Sequence, residues 1–131
     1  MVGIVIVSHS GKIAEGLREM AAQMSRPGQR IVAAGGMAGG AIGTDAVKIF
    51  EAVKAADDGS GVVILVDLGS AIMSAEAALE LLDGEARARV EIADAPIVEG
   101  TISAAVQASL GGSLAEVLAT AEGARELRKT K

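Results

Sequence analysis

The chain has 131 residues, half of them hydrophobic, a net charge of −5 and no cysteine. This length makes one domain, residues 1–131, with room for a real core, and the lack of cysteine removes disulfide and thiolate chemistry. An acidic balance with a single aromatic residue, Phe50, leaves no basic footprint or stacking platform for a nucleic-acid partner. No apolar stretch reaches transmembrane length, and the N-terminal run lacks a signal peptide's basic flank and cleavage site, so the expectation is a cytoplasmic protein with no membrane partner.

The first element is a strand. Val2 to Val7 form an almost unbroken apolar, mostly β-branched run that stops at Ser8, His9, Ser10 and Gly11. A run this short and this branched reads as a strand buried on both faces. Lys12 to Met24 reads as a helix with Ile13, Leu17, Met20 and Met24 on one apolar face, the methionines being core packing, and Arg26-Pro27-Gly28 stops it. A short strand over Arg30 to Ala34 opens into a loop, residues 35–43, whose five glycines suit a close backbone approach. That loop matches no dinucleotide or P-loop pattern and carries no lysine, so it does not indicate nucleotide binding.

Thr44 or Asp45 is placed to cap the next helix, whose apolar face is Ala46, Ile49, Phe50 and Val53. After the turn at Asp57 to Gly61, Val62 to Val66 is the third strand and the second fully apolar run. It ends in Asp67-Leu68-Gly69-Ser70, with Ser70 placed to cap a helix through Leu82 that Asp83-Gly84 terminates; Glu76 and Glu80 fall on its solvated face. Ala88 to Ala93 alternates Arg89 and Glu91 with Val90 and Ile92, the pattern of an edge strand with one wet face. A helix from about Val98 to Leu110 follows, broken by Gly111-Gly112. Ser113 and Glu116 then form a capping box for a last helix with Leu114, Val117, Leu118 and Ala121 buried. The basic tail from Arg125 to Lys131 is expected to fray.

Strands alternating with helices predict an α/β fold, an open, mainly parallel four-stranded sheet with helices on both faces. The two wholly apolar strands belong at the centre, which with right-handed crossovers gives the order 2-1-3-4. The switch point then lies between the first and third strands, where such sheets bind ligands at their carboxyl ends. His9, the only histidine, and Asp67 are delivered there together.

A carboxylate that accepts from one ring nitrogen of a histidine leaves the other with a free lone pair, able to act as general base, metal ligand or nucleophile. Metal binding is the weakest of these, because no second histidine or cysteine completes a ligand set. General-base hydrolysis through Ser8, Ser10 or Ser70 stays open, although no G-x-S-x-G elbow is present. Nucleophilic attack on a phosphoryl group fits the surroundings best. The helix starts after Ser10 and after Gly69 offer backbone N–H groups to a phosphate, which makes Gly11 and Gly69 binding candidates, and Ser10, Ser70 and Thr44 offer hydroxyls. The plain alternatives are a surface histidine, an aspartate that only caps a helix and a glycine loop that only connects.

Residues 3–10, with the run Gly-Ile-Val-Ile-Val-Ser-His-Ser, resemble the opening of the phosphohistidine subunit of the phosphotransferase-dependent dihydroxyacetone kinase, within the mannose-type enzyme IIA fold group. Gly43-Thr44-Asp45, the stretch from Val63 to Ser70, and Ala95 to Gly100 with Ala104-Ala105-Val106 match in the same order. The resemblance implies that His9 takes a phosphoryl group, on Nε2, from a histidine-phosphorylated carrier protein charged from phosphoenolpyruvate. His9 would pass it to ADP on the kinase's nucleotide-binding subunit, with Asp67 as orienting carboxylate. It further implies a homodimer with no cofactor of its own, the nucleotide sitting on the partner. The remaining alternatives are donation to a sugar permease subunit and a non-catalytic, anion-sensing regulatory module.

Overall fold

A computed structural model of the chain describes residues 1–130. In chain order its main elements are β1 (Gly3–Ser8), α1 (Gly11–Gln23), β2 (Ile31–Gly35), α2 (Ala46–Ala56), β3 (Val62–Val66) and α3 (Gly69–Glu80), then α4 (Gly84–Arg87), β4 (Val90–Ile92), α5 (Ile97–Ser109) and α6 (Leu114–Gly123). Single 3-10 turns lie at Ala38–Gly40 and Ala124–Glu126. The sheet has the order β2-β1-β3-β4 and every pairing is parallel, as the two apolar runs and right-handed crossovers predict.

Alternation along the two central strands divides the core in two. Val5, Val7, Ile64 and Val66 face Ile49, Val53, Ala71, Ala75 and Ala78 of α2 and α3. Ile4, Ile6, Val63 and Leu65 face Ala14, Leu17, Ala104, Ala108, Val117 and Ala121 of α1, α5 and α6. The helix residues touching the sheet are largely alanine, and this sets the spacing. Gly35 shows how close the approach is, since a Cβ there would fall 2.7 Å from both the Ala14 Cβ and the Ser10 carbonyl oxygen.

Close packing also explains a departure from the expected pattern of α1. Its buried stripe is Ala14, Leu17 and Ala21, whereas Ile13, Met20 and Met24 are half-exposed. The methionines are not core; alanines on the neighbouring stripe let the helix lie nearer the sheet than long side chains permit. Asp45 caps α2, accepting from the Val47 and Lys48 N–H groups at 2.9 and 3.3 Å, and Ser113 with Glu116 forms the expected capping box.

Three boundaries differ from the sequence reading. Ser70 does not cap α3: the helix starts two residues earlier than that cap would place it, at Gly69 behind Leu68, with no side-chain cap, and the Ser70 hydroxyl is engaged elsewhere. The fourth strand is only Val90–Ile92, because Asp83 caps the one-turn α4 and Arg89 turns away to pair with Asp57 at 2.8 Å. The tail expected to fray instead makes a 3-10 turn and is tethered by Arg125 to Asp94 and by Lys129 to Glu99 at 2.9 Å; its final residue, Lys131, lies outside the described residues.

Candidate functional site

The site forms where β1 and β3 end side by side. Val7 is paired with Val66, so the next residues along each strand, Ser8-His9 and Asp67, emerge together at the carboxyl edge. The Asp67 N–H donates to the Val7 carbonyl at 3.1 Å, carrying the ladder one step past the strand end and fixing the aspartate's backbone. His9 is held from the other side, its carbonyl accepting from the Gly43 N–H at 2.8 Å. The sequence reading placed His9 and Asp67 in one crevice, and the structure brings them into contact.

The Asp67 carboxylate receives four hydrogen bonds. Its Oδ1 accepts from His9 Nδ1 at 2.9 Å and from the Leu68 N–H at 2.7 Å. Its Oδ2 accepts from the Ser8 hydroxyl and from the His9 N–H, both at 2.9 Å. Burial pushes this carboxyl up, and the His9 backbone, His9 ring, Ser8 and Leu68 donors together outweigh it, so the group lies below the ordinary aspartate range. It is therefore an ionised, acceptor-only group at neutral pH, and the hydrogen between it and His9 is assigned to Nδ1. That assignment leaves Nε2 with a bare lone pair. Ser70 meets it, its hydroxyl donating to Nε2 at 2.9 Å from the first turn of α3.

Ser8 is the support that sequence reasoning missed. From sequence it reads only as a candidate nucleophile, yet it is fully buried and its hydroxyl is occupied, donating to Asp67 and accepting from the Ser10 N–H at 3.0 Å. The available signal was its place in the strand: a polar residue continuing a two-faced apolar run must find partners in the interior. Ser10 caps α1, its Oγ accepting from the Ile13 N–H at 3.3 Å, and Gly11 and Gly69 open α1 and α3 with exposed backbones. Thr44 is directed to α3, where its Oγ1 lies 2.7 Å from Ser74 Oγ. It thus stitches the end of the glycine loop to the helix that carries Ser70. Among the described residues no group of three or more His, Cys, Asp or Glu side chains is placed to hold a metal ion, and no helix is long and apolar enough to cross a membrane.

A histidine held at Nδ1 by a carboxylate, on the rim of a parallel sheet beside two helix starts, can act at Nε2 as a nucleophile or a general base. The EIIA-man family, described as the PTS system fructose IIA component, matches residues 3–118, and the chain belongs to that family. It is 43% identical over 98% of its length to the phosphoryl donor subunit DhaM of the PEP-dependent dihydroxyacetone kinase of Escherichia coli K12, and 42% identical over 98% to the subunit of that name from Providencia stuartii. It spans only 28% of the length of each of these relatives. The second such subunit of Listeria innocua is 44% identical over 90% of this chain and 94% of its own. The crystal structure of a protein of unknown function, EF1359, superposes with a TM-score of 0.86 at 31% identity, covering all of both chains.

Proposed function

We propose that the chain is a phosphoryl donor unit of a dihydroxyacetone kinase that works through phosphohistidine at His9. The observation that carries this reading is the geometry around the imidazole: Nδ1 lies 2.9 Å from Asp67 Oδ1, and Nε2 lies 2.9 Å from the Ser70 hydroxyl at the exposed rim. In the loading step the Nε2 lone pair attacks the phosphorus of a phosphohistidine on the carrier protein. The new N–P bond forms as the carrier's N–P bond breaks, and the departing electron pair returns to the carrier's ring. The His9 ring, still protonated at Nδ1, gains positive charge, which the Asp67 carboxylate neutralises across 2.9 Å. Ser70, already donating at Nε2, moves its hydrogen bond to a phosphoryl oxygen.

Discharge reverses the roles. A terminal phosphate oxygen of ADP on the nucleotide-binding kinase subunit attacks the phosphorus, the P–Nε2 bond breaks and ATP forms there. Little beyond positioning and charge stabilisation is needed for such in-line transfer. Ile42, Leu68 and Met73, all exposed and large, come from the loop that holds His9, from the residue after Asp67 and from the turn after Ser70. They supply an apolar rim for two protein partners in turn, with methionine adapting to both. The names of the similar DhaM subunits support the kinase as the acceptor. In this reading the unit acts as a homodimer in the cytoplasm, which sedimentation and fractionation test.

The experiment is to incubate the protein with phosphoenolpyruvate, enzyme I and carrier protein, and then to add either the ADP-loaded kinase subunit or a sugar permease subunit. Acid-labile phosphate should appear, be absent from His9→Ala, and discharge to the kinase subunit. Discharge only to the permease subunit would move the protein to sugar transport. Anion binding without any covalent phosphate would make it a sensing module.

One observation favours a second reading. Ser70 Oγ, His9 Nε2 and Nδ1, and Asp67 Oδ1 form a relay with 2.9 Å at each link, the geometry of a serine hydrolase triad. Labelling of Ser70 by a fluorophosphonate would support it; an unlabelled protein that accepts phosphate on His9 would exclude it.

A further inference from the structure

The glycine loop holds the His9 backbone through Gly43, but residues 35–40 take no part in the steps above, and their surroundings differ from their sequence. On the β2 side of the β1 end, away from Asp67, it closes a cavity of about 560 Å³ together with the start of α1 and the first turn of α2. The loop carries no lysine, but the two helices each bring one: Lys12 from α1 and Lys48 from α2 line the cavity, and no aspartate or glutamate does. Among the described residues neither lysine has a carboxylate within salt-bridge distance, whereas Arg18, Arg89, Arg125 and Lys129 each pair with one. Lys48 Nζ is positioned by the Gly35 carbonyl at 3.1 Å. In a chain with net charge −5, two unpaired cations from separate elements on one concavity are a local reversal of sign.

The loop's floor is open backbone. Gly39 and Gly40 have φ of 77° and 85°, and a Cβ at either would meet nothing within 4 Å, so no neighbouring side chain blocks approach to the main chain there. The volume is far more than a single carboxylate needs and falls in the range of small-molecule sites. Ser10, next to His9, is part of the lining, and the Gly43 N–H binds the His9 carbonyl, so cavity and nucleophile share a wall.

We infer that this cavity is an anion site for the diphosphate of a nucleotide, held between Lys12 and Lys48 beside His9. The inference deepens the proposed function by giving the acceptor step its own recognition element. Two lysines act as point charges on phosphate oxygens, and the open glycine backbone permits the close approach that a diphosphate requires. The nucleotide comes either free or exposed on the kinase subunit, and the test separates the two.

The unphosphorylated protein is titrated with inorganic pyrophosphate and, separately, with ADP at constant ionic strength while backbone amide resonances are followed. Shifts should concentrate at residues 35–40, Lys12 and Lys48, persist in His9→Ala, and weaken at least about tenfold in apparent affinity in Lys12→Ala/Lys48→Ala. Persistence in His9→Ala keeps this outcome independent of phosphohistidine chemistry. Shifts scattered over all basic residues, or unchanged in the double variant, overturn the site. Discharge to the ADP-loaded kinase subunit is then compared with loading from the carrier. A fall of at least about tenfold in that ratio in the double variant assigns the partner-held nucleotide. An unchanged ratio with intact pyrophosphate shifts in the parent assigns the free one.

Discussion

His9 Nδ1 and Asp67 Oδ1 stand 2.9 Å apart although 58 residues separate them in the chain, and the aspartate that holds the ring is itself held by three further donors. The contact sets the tautomer, and the tautomer sets which nitrogen is free to react. Asp67→Asn replaces one carboxylate oxygen by an amide nitrogen, a donor facing two donors, and removes the charge opposite the ring. Loading of His9 from the carrier should fall by about 100-fold or more while the fold persists. Rapid-quench measurement of phosphoprotein checks this; a loss of less than about threefold would show that the pair is incidental.

The direction of the Asp67 shift gives a pH signature. Its carboxyl lies below the ordinary range in the folded chain, so the stability it contributes is complete above the unfolded value, about 3.9, and is lost as pH falls through the lower folded value. Urea unfolding of the parent and Asp67→Asn should therefore show a gap at pH 7 that narrows steadily below about pH 4. A gap of equal size at pH 7 and pH 3 would contradict the linkage.

Ser8→Ala should be costly for a substitution of one atom. It leaves the Ser10 N–H without its acceptor and the Asp67 Oδ2 with one donor fewer, in a place the wild-type side chain fills with no exposure. About 1–3 kcal/mol of stability should go, read by denaturant midpoint at constant m-value, and loading should slow as Asp67 loosens. A neutral result would mean that water replaces the hydroxyl.

Ser70 sits at the surface, so its effect should be on the reaction and not on folding. Ser70→Ala removes a neutral hydrogen bond to Nε2 from the free form and a stronger, charge-assisted one from the phosphorylated form. The difference, about 1 kcal/mol, lowers phosphoprotein at a fixed carrier ratio by about fivefold with the melting temperature nearly unchanged. Phosphorus NMR integration measures it. Equal occupancy in parent and variant would remove Ser70 from the phosphorylated state.

What the sequence made legible was whatever a repeating pattern or a strand end encodes. The apolar runs at Val2–Val7 and Val62–Val66 placed β1 and β3 at the centre, and that order alone brought His9 to Asp67. The misreadings share a cause, which is tertiary packing between residues distant in sequence. Ser70 reads as a helix cap because it precedes a helix, but His9 claims its hydroxyl. Thr44 reads as a candidate cap of α2, but Asp45 holds that place and Ser74 lies against the Thr44 hydroxyl. Met20 and Met24 read as core because they are apolar, but alanines took the buried stripe. The cationic cavity was hidden for the same reason: neither lysine is in the glycine loop, and only the packing of α1 and α2 against β2 brings Lys12 and Lys48 to it.

In the proposed phosphohistidine, phosphorus is bonded to Nε2 of His9 while Asp67 keeps the proton on Nδ1. Long-range proton–nitrogen correlation of the protein labelled with ¹⁵N at histidine, recorded before and after phosphorylation from phosphoenolpyruvate, tests it in one sample, because the chain has a single histidine. The free form should show a protonated Nδ1 and a bare Nε2, and the phosphorylated form a phosphorus coupling on Nε2 alone. A coupling on Nδ1, or phosphate gained with no change in the ring, would contradict the account.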